Sequence, residues 1–199
     1  MKALILSGGH GTRLRPITHS QQKQLIPVAN KPILFYPIED VIEAGAREIG
    51  IITGPNRDQV VDTVSSVEWD ADIEFIYQGE PKGLAHTILV AEDFLGDDDF
   101  IMYLGDNIIK VGIVQHAERF RLLGPEALVL LTEVDDPQRF GVAEFDEGGR
   151  MKRLVECPFG DRTCQNRTSW TEGKAWRRSR PGWTPPESRA GQYFRFLAI

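Results

Sequence analysis

The chain opens on a short run over residues 2–6, aliphatic after Lys2, that stops at Ser7-Gly8-Gly9. Such a run, ended by glycines, predicts a short strand buried on both faces. A polar, glycine-containing loop over residues 7–24 follows, and then the period changes. Phe35, Ile38, Val41 and Ile42 fall on one side of a helix over residues 34–44, with Gly45 as its stop. The same reading predicts strands over 49–53, 73–77, 100–104 and 127–132, and helices over 58–67, 84–94 and 111–122. Residues 142–145 and 151–155 predict a hairpin about Glu147-Gly148-Gly149. Strands that alternate with helices and are apolar throughout predict an α/β fold, a Rossmann-like, mostly parallel sheet with helices on both faces. Ligands of such sheets bind beyond the carboxyl ends of the strands, near the point where strand order reverses. The polar stretches beginning at Ser7, Gln78 and Gly105 are therefore expected to share one crevice.

The pattern ends at Glu156. Residues 1–156 carry 15 Lys and Arg against 26 Asp and Glu, whereas residues 157–199 carry 8 against 3. The tail holds three of the four tryptophans and both cysteines, has no valine, and has no isoleucine before Ile199. Apart from residues 193–199 it offers neither periodicity. We expect one domain over 1–156 and an atypical Arg/Trp-rich tail over 157–199, disordered or out of frame, so that the sheet is incomplete at its C-terminus. A basic arm that binds single-stranded nucleic acid is the competing reading of that tail.

Composition narrows the function. The 199 residues are 41% hydrophobic and 26% charged, ordinary values for a globular chain, and the net charge of −6 argues against nucleic acid or an anionic membrane as partner. No apolar run approaches the ~20 residues that cross a bilayer. The N-terminal run reads as a strand and not as a signal peptide, so a cytoplasmic location is expected. Cys157, Cys164, His10, His19, His86 and His116 receive no role, and the run Asp97-Asp98-Asp99 reads as a solvated turn.

The chemistry concentrates at Leu6-Ser7-Gly8-Gly9-His10-Gly11-Thr12-Arg13-Leu14-Arg15-Pro16. Glycines let the backbone approach a nucleotide, and inward N–H groups cradle phosphate oxygens. Arg13 adds a fork of permanent charge suited to a triphosphate. The stretch lacks the Gly-Lys-Ser/Thr of a phosphate-binding P-loop, and Leu14 stands where the dinucleotide fingerprint needs a glycine.

With Thr-Arg-Leu-Arg-Pro attached, this loop resembles the Gly-Gly-x-Gly-Thr-Arg-Leu signature of the sugar-phosphate nucleotidylyltransferases. The run from Lys23-Gln24-Leu25 to Leu34 is similar to the family's second motif. Gln78, Gly83-Leu84-Ala85 and Leu104-Gly105-Asp106-Asn107 resemble the glucose-1-phosphate thymidylyltransferase branch, and Arg139-Phe140-Gly141-Val142 and Leu154-Val155-Glu156 extend the match. The resemblance implies the nucleotide-diphospho-sugar transferase type of sheet. It also implies Mg²⁺-dependent transfer from dTTP to glucose 1-phosphate, giving dTDP-glucose and pyrophosphate, without a protein nucleophile. Arg13 and Lys23 would hold the triphosphate and stabilise the departing pyrophosphate. Leu6, Gly8, Gly9, Gly11, Thr12, Gln24, Gln78 and Gly83 would bind the nucleotide, Gln78 reading the pyrimidine edge. Asn107, Gly141 and Glu156 would touch the sugar, and Asp106 would hold the metal. Full-length members are homo-oligomers.

The resemblance breaks at Cys157, where the family has a lysine for the sugar phosphate. A thiol does not supply that charge. The family's later sugar-binding strand and second metal aspartate are also not recognisable. Nucleotide binding with little turnover is the expected outcome. The alternatives are a non-catalytic nucleotide-binding remnant or regulatory module, and a uridylyl or guanylyl transferase of the same family.

Overall fold

A computed structural model describes residues 1–9, 22–80, 83–125, 127–131, 141–145, 151–156 and 196–198. Its main sheet has six parallel strands in the order β5 (Asp72–Tyr77), β4 (Glu48–Thr53), β1 (Lys2–Ser7), β6 (Phe100–Leu104), β10 (Phe196–Ala198) and β7 (Ala127–Val129). The chain builds outward from β1 to β4 and β5, then returns to β6 on the other side. The reversal of strand order thus falls between β1 and β6.

Alternation along the strands sorts the core into two layers. Ala3 and Ile5 of β1, Ile49 and Ile51 of β4, and Ile101 and Tyr103 of β6 face one cluster. That cluster takes in Ile38 and Val41 of α1 (Phe35–Glu43), Val60 and Val64 of α2 (Arg57–Ser65), and Ala117 and Phe120 of α5 (Val114–Leu123). Leu4, Leu6, Ile52 and Phe100 face the other way, against the segment formed by α3 (Leu84–Val90) and α4 (Glu92–Leu95). Burial of both faces accounts for the unbroken apolar runs. The expected α/β architecture is therefore the one observed.

The element ends show where local rules yielded. The single helix expected over 84–94 is two, parted at buried Ala91, whose N–H is shared between the carbonyls of Thr87 and Ile88. The helix expected from 111 begins at Val114, because Gly112 holds a φ of +65° that a helix cannot include. Inside the loop expected over 7–24, residues Lys23–Leu25 form one 3-10 turn. A two-residue hairpin follows that the periodicity did not predict, β2 (Pro27–Val28) with β3 (Lys31–Pro32), turning at Ala29 and Asn30 with φ of 49° and 65°. Two left-handed central residues are what tight hairpins select.

The expected second hairpin is present as β8 (Gly141–Phe145) against β9 (Met151–Glu156), antiparallel. Phe196–Ala198, inside the segment read as a tail, pairs with β6 on one side and β7 on the other. It lies in the one stretch of that segment that carried a strand pattern. The rest of 157–199 lies outside the described residues.

Candidate active site

At the carboxyl end of β1 the backbone passes between two neighbours at very short range. A Cβ placed on Gly105 would lie 2.7 Å from the carbonyl oxygen of Leu6, and one on Gly54 would lie 2.9 Å from that of Gly8. Both distances are below contact, so glycine is what lets the loops after β4 and β6 close onto the loop after β1. The Gly105 N–H also donates to the Leu6 carbonyl at 2.9 Å, extending the β1–β6 ladder by one step. The three stretches expected to share a crevice do so.

Lys23 and Asp106 meet across this junction as an ion pair between Nζ and Oδ2, with side chains 32% and 28% exposed. Lys23 comes from the 3-10 turn after the glycine loop, and Asp106 from the turn after β6, where the Asn107 N–H returns to the Leu104 carbonyl at 3.0 Å. Each neutralises the other at this junction. A cation therefore already sits on the carboxylate that the sequence reading assigned to a metal. Asp106 offers the hard oxygen that Mg²⁺ prefers. Among the described residues no group of three or more His, Cys, Asp or Glu side chains could hold a metal. A single carboxylate suits Mg²⁺ that keeps several waters and shares the rest of its shell with substrate phosphates; it does not make a protein cage. Asp106 fits the ion in that sense.

The walls are amides. Gln24 and Gln78 are both buried, and they flank the glycines: Gln78 Oε1 lies 3.4 Å from a Cβ placed on Gly8, and Gln24 Nε2 lies 3.8 Å from one placed on Gly9. Gln78 is anchored through its own N–H to the Thr53 carbonyl at 2.8 Å, and its Nε2 meets His86 Nδ1 at 2.9 Å. Gly83 precedes α3 with a φ of +95° and open space where a Cβ would stand. Its demand for glycine is therefore conformational.

The residue that ties the loop together was not singled out in the sequence. Gln22 is buried, and its Nε2 donates to the carbonyls of Ser7 at 2.7 Å and Gly9 at 3.1 Å and to Gln24 Oε1 at 3.0 Å. Asn56 Nδ2 donates to Gln22 Oε1 at 3.1 Å, and the Gln22 N–H donates to Gln59 Oε1 at 3.1 Å. This side chain thus pins both ends of the glycine loop and joins them to the start of α2. Gly54 and His86 were likewise passed over. For Gly54 the available signal was a glycine just past a strand, at the level of the first loop. For Gln22 and His86 there was none, because neither contact follows a strand or helix period: Gln78 meets His86 across a loop of the chain, and Asn56 reaches Gln22 from 34 positions away.

Asp40 of α1 and Tyr103 of β6 meet on the sheet face that α1 covers. The Tyr103 hydroxyl donates to Asp40 Oδ2 at 2.7 Å, linking α1 to β6, the strand that leads into the Asp106 turn. Burial pushes the Asp40 carboxyl above its ordinary range, against the stabilising Tyr103 bond, with Glu43 and Glu39 adding to the rise. Burial, and then the bond to Asp40, raise the Tyr103 phenol.

Of the residues expected at the site, the structure brings together Leu6, Gly8, Gly9, Lys23, Gln24, Gln78, Asp106 and Asn107 at the carboxyl ends of β1, β5 and β6, with Gly83 on the lead-in to α3. Gly141 and Glu156 are direct partners across the β8–β9 hairpin. Gly11, Thr12 and Arg13 lie outside the described residues.

Comparison with known proteins adds an independent line. The model of a family described as nucleotidyl transferase matches residues 2–174, running past Glu156. A glucose-1-phosphate thymidylyltransferase of Streptomyces griseus is 50% identical over 160 residues, covering 79% of this chain and 45% of the relative. The low-salt glycan biosynthesis nucleotidyltransferase Agl11 of Haloferax volcanii is 49% identical over the same length and share. The chain thus spans a little under half the length of these relatives. Among solved structures, a Bacillus anthracis protein named for glucose-1-phosphate thymidylyltransferase activity, crystallised with a sucrose, superposes with a TM-score of 0.73 at 34% identity. The match covers 79% of this chain and 65% of that one.

Proposed function

Since this chain belongs to the nucleotidyl transferase family, we propose that its crevice binds dTTP and transfers the thymidylyl group to glucose 1-phosphate, releasing pyrophosphate. The observation that carries this reading is the meeting of Lys23 with Asp106 beside the glycine loop, where the strand order reverses. A triphosphate needs cations and backbone N–H groups along one side and a metal-bearing carboxylate on the other. Lys23, Asp106 and the backbone of Gly8 and Gly9 are the members of that set that support the reading.

In this reading the backbone of Gly8 and Gly9 lies under the nucleoside, Gln78 and Gln24 flank it, and Arg13 and Lys23 neutralise the triphosphate and the departing pyrophosphate. Asn107, Gly141 and Glu156 take the sugar hydroxyls. Bound Mg²⁺ at Asp106 would supply further charge neutralisation on the phosphates. Residues of this chain then do the rest by holding the attacking sugar phosphate oxygen in line with the α-phosphorus. We place the enzyme in the cytoplasm.

Cys157, where the family resemblance calls for a phosphate-binding lysine, favours a second reading in which the chain binds nucleotide but turns it over weakly. Pyrophosphate release from dTTP, glucose 1-phosphate and Mg²⁺ separates the two, with dTTP affinity measured alongside. Release that disappears in Lys23→Met supports transfer. Affinity without release supports the binding module, and neither would sink both. UTP, dGTP and other sugar 1-phosphates in the same assay distinguish the uridylyl and guanylyl alternatives.

A further inference from the structure

We propose that His86 sets the hydrogen-bonding sense of the crevice by fixing which end of the Gln78 carboxamide faces the ligand, and that it thereby selects bases with a ring N–H at that edge. The inference rests on the nucleotide-binding reading above and adds the rule by which the base is chosen.

A glutamine amide is ambivalent. One end donates and the other accepts, and a half-turn about the last side-chain bond exchanges them. Left alone beside a ligand, Gln78 would suit thymine and cytosine alike. In this structure it is not left alone. Its Nε2 is engaged at 2.9 Å by His86 Nδ1, from the first turn of α3, while Oε1 lies against Gly8 on the floor of the crevice. The Gln78 backbone is held by Thr53 and the side chain is 5% exposed, so the amide has little freedom to leave this position. With the amide Nε2 facing the ring, we assign Nδ1 as the acceptor and the ring hydrogen to Nε2; the other tautomer would take the Oε1 end of Gln78 instead. The end left for the ligand is an acceptor. Thymine and uracil offer an N3–H to such an acceptor; cytosine offers a bare ring nitrogen, which would meet it lone pair to lone pair. A buried polar group left in that state discriminates strongly between ligands of the same shape.

His86 touches no ligand in this scheme. It is a positioning residue, and its signature is a change in the ratio of two affinities, which loss of stability does not produce. The test uses the full chain with dTTP, UTP and dCTP as probes, each Kd measured by titration calorimetry. The wild-type chain is expected to prefer dTTP and UTP over dCTP by at least about tenfold. His86→Asp places an acceptor-only group at that position and should keep the preference, even if its charge weakens all three ligands together. His86→Lys places a donor-only group there, turns the amide over, and should bring the preference to unity or below. In a Gln78→Leu background, His86→Lys should leave the ratio where it stands, a comparison that holds even if either single variant is less stable.

A wild-type preference that survives His86→Lys within about twofold overturns the role of His86 and leaves the nucleotide reading intact. Failure of the wild-type chain to bind any of the three triphosphates removes the nucleotide reading, and this inference with it.

Discussion

Replacing Gln22 by methionine keeps the volume of the side chain and removes its amide. The structure sets the cost. Gln22 is 5% exposed and its amide serves the Ser7 and Gly9 carbonyls, Gln24 Oε1 and Asn56 Nδ2. Gly9 and Asn56 are exposed and can turn to water, so their losses are small. The Ser7 carbonyl and Gln24 are buried and would be left without this donor. A buried polar group stripped of its partner costs about 1–3 kcal/mol, so the two together should cost roughly 2–6 kcal/mol. For a chain of this size that lowers the melting midpoint by about 4–24 °C. Urea unfolding followed by circular dichroism measures it directly, with Asn56→Ala as a control expected to cost less than about 1 kcal/mol. In the folded variant, dTTP affinity should fall as well, because the glycine loop loses its anchor at both ends. A Gln22→Met chain within 0.5 kcal/mol of wild type, the range of an ordinary surface change, would show that the amide does not hold the loop.

Gly105→Ala forces a methyl group to within 2.7 Å of the Leu6 carbonyl, so the carboxyl ends of β1 and β6 must part. Overpacking of this kind costs about 1–3 kcal/mol, checked by urea unfolding. Lys23→Met removes a charge-assisted contact worth about 1.5–3 kcal/mol, so dTTP should bind roughly ten- to a hundredfold more weakly by calorimetry. Burial raises the Asp40 carboxyl in the folded chain, so the folded state holds that proton more tightly than the unfolded state. The resulting stability is complete below the ordinary value of 3.8 and is lost as pH rises through the raised folded value. Asp40→Asn should therefore flatten that fall and gain on wild type as pH rises from about 4 to 7, read from urea midpoints across that range. Removing residues 193–199 takes β10 out from between β6 and β7 and opens an edge on each, so light scattering should report more self-association.

Lys2–Ser7, Glu48–Thr53, Asp72–Tyr77 and Phe100–Leu104 were legible in the sequence within a residue or two, as was the α1 helix with its stop at Gly45. Each follows from burial of a local repeat, which neighbours in the chain determine between themselves. The crevice was legible as a place, since the order of β1, β4, β5 and β6 in such a sheet fixes where polar loops gather. The identity of Gly8, Gln78 and Asp106 as its occupants followed from the motifs they sit in.

What the sequence could not decide was which side chains meet. Gln22 reaches Asn56 and Gln59 only when α2 packs under the glycine loop, and nothing at positions 22, 56 or 59 announces it beforehand. The pairing of Lys23 with Asp106 spans 83 positions, and that of Tyr103 with Asp40 spans 63. Phe196–Ala198 shows the same limit for backbone, since three residues make a strand only because β6 and β7 stand apart by the width of one. Periodicity is a property of neighbours in the chain, whereas a hydrogen bond or ion pair is a property of neighbours in space, and only the packed sheet converts one into the other.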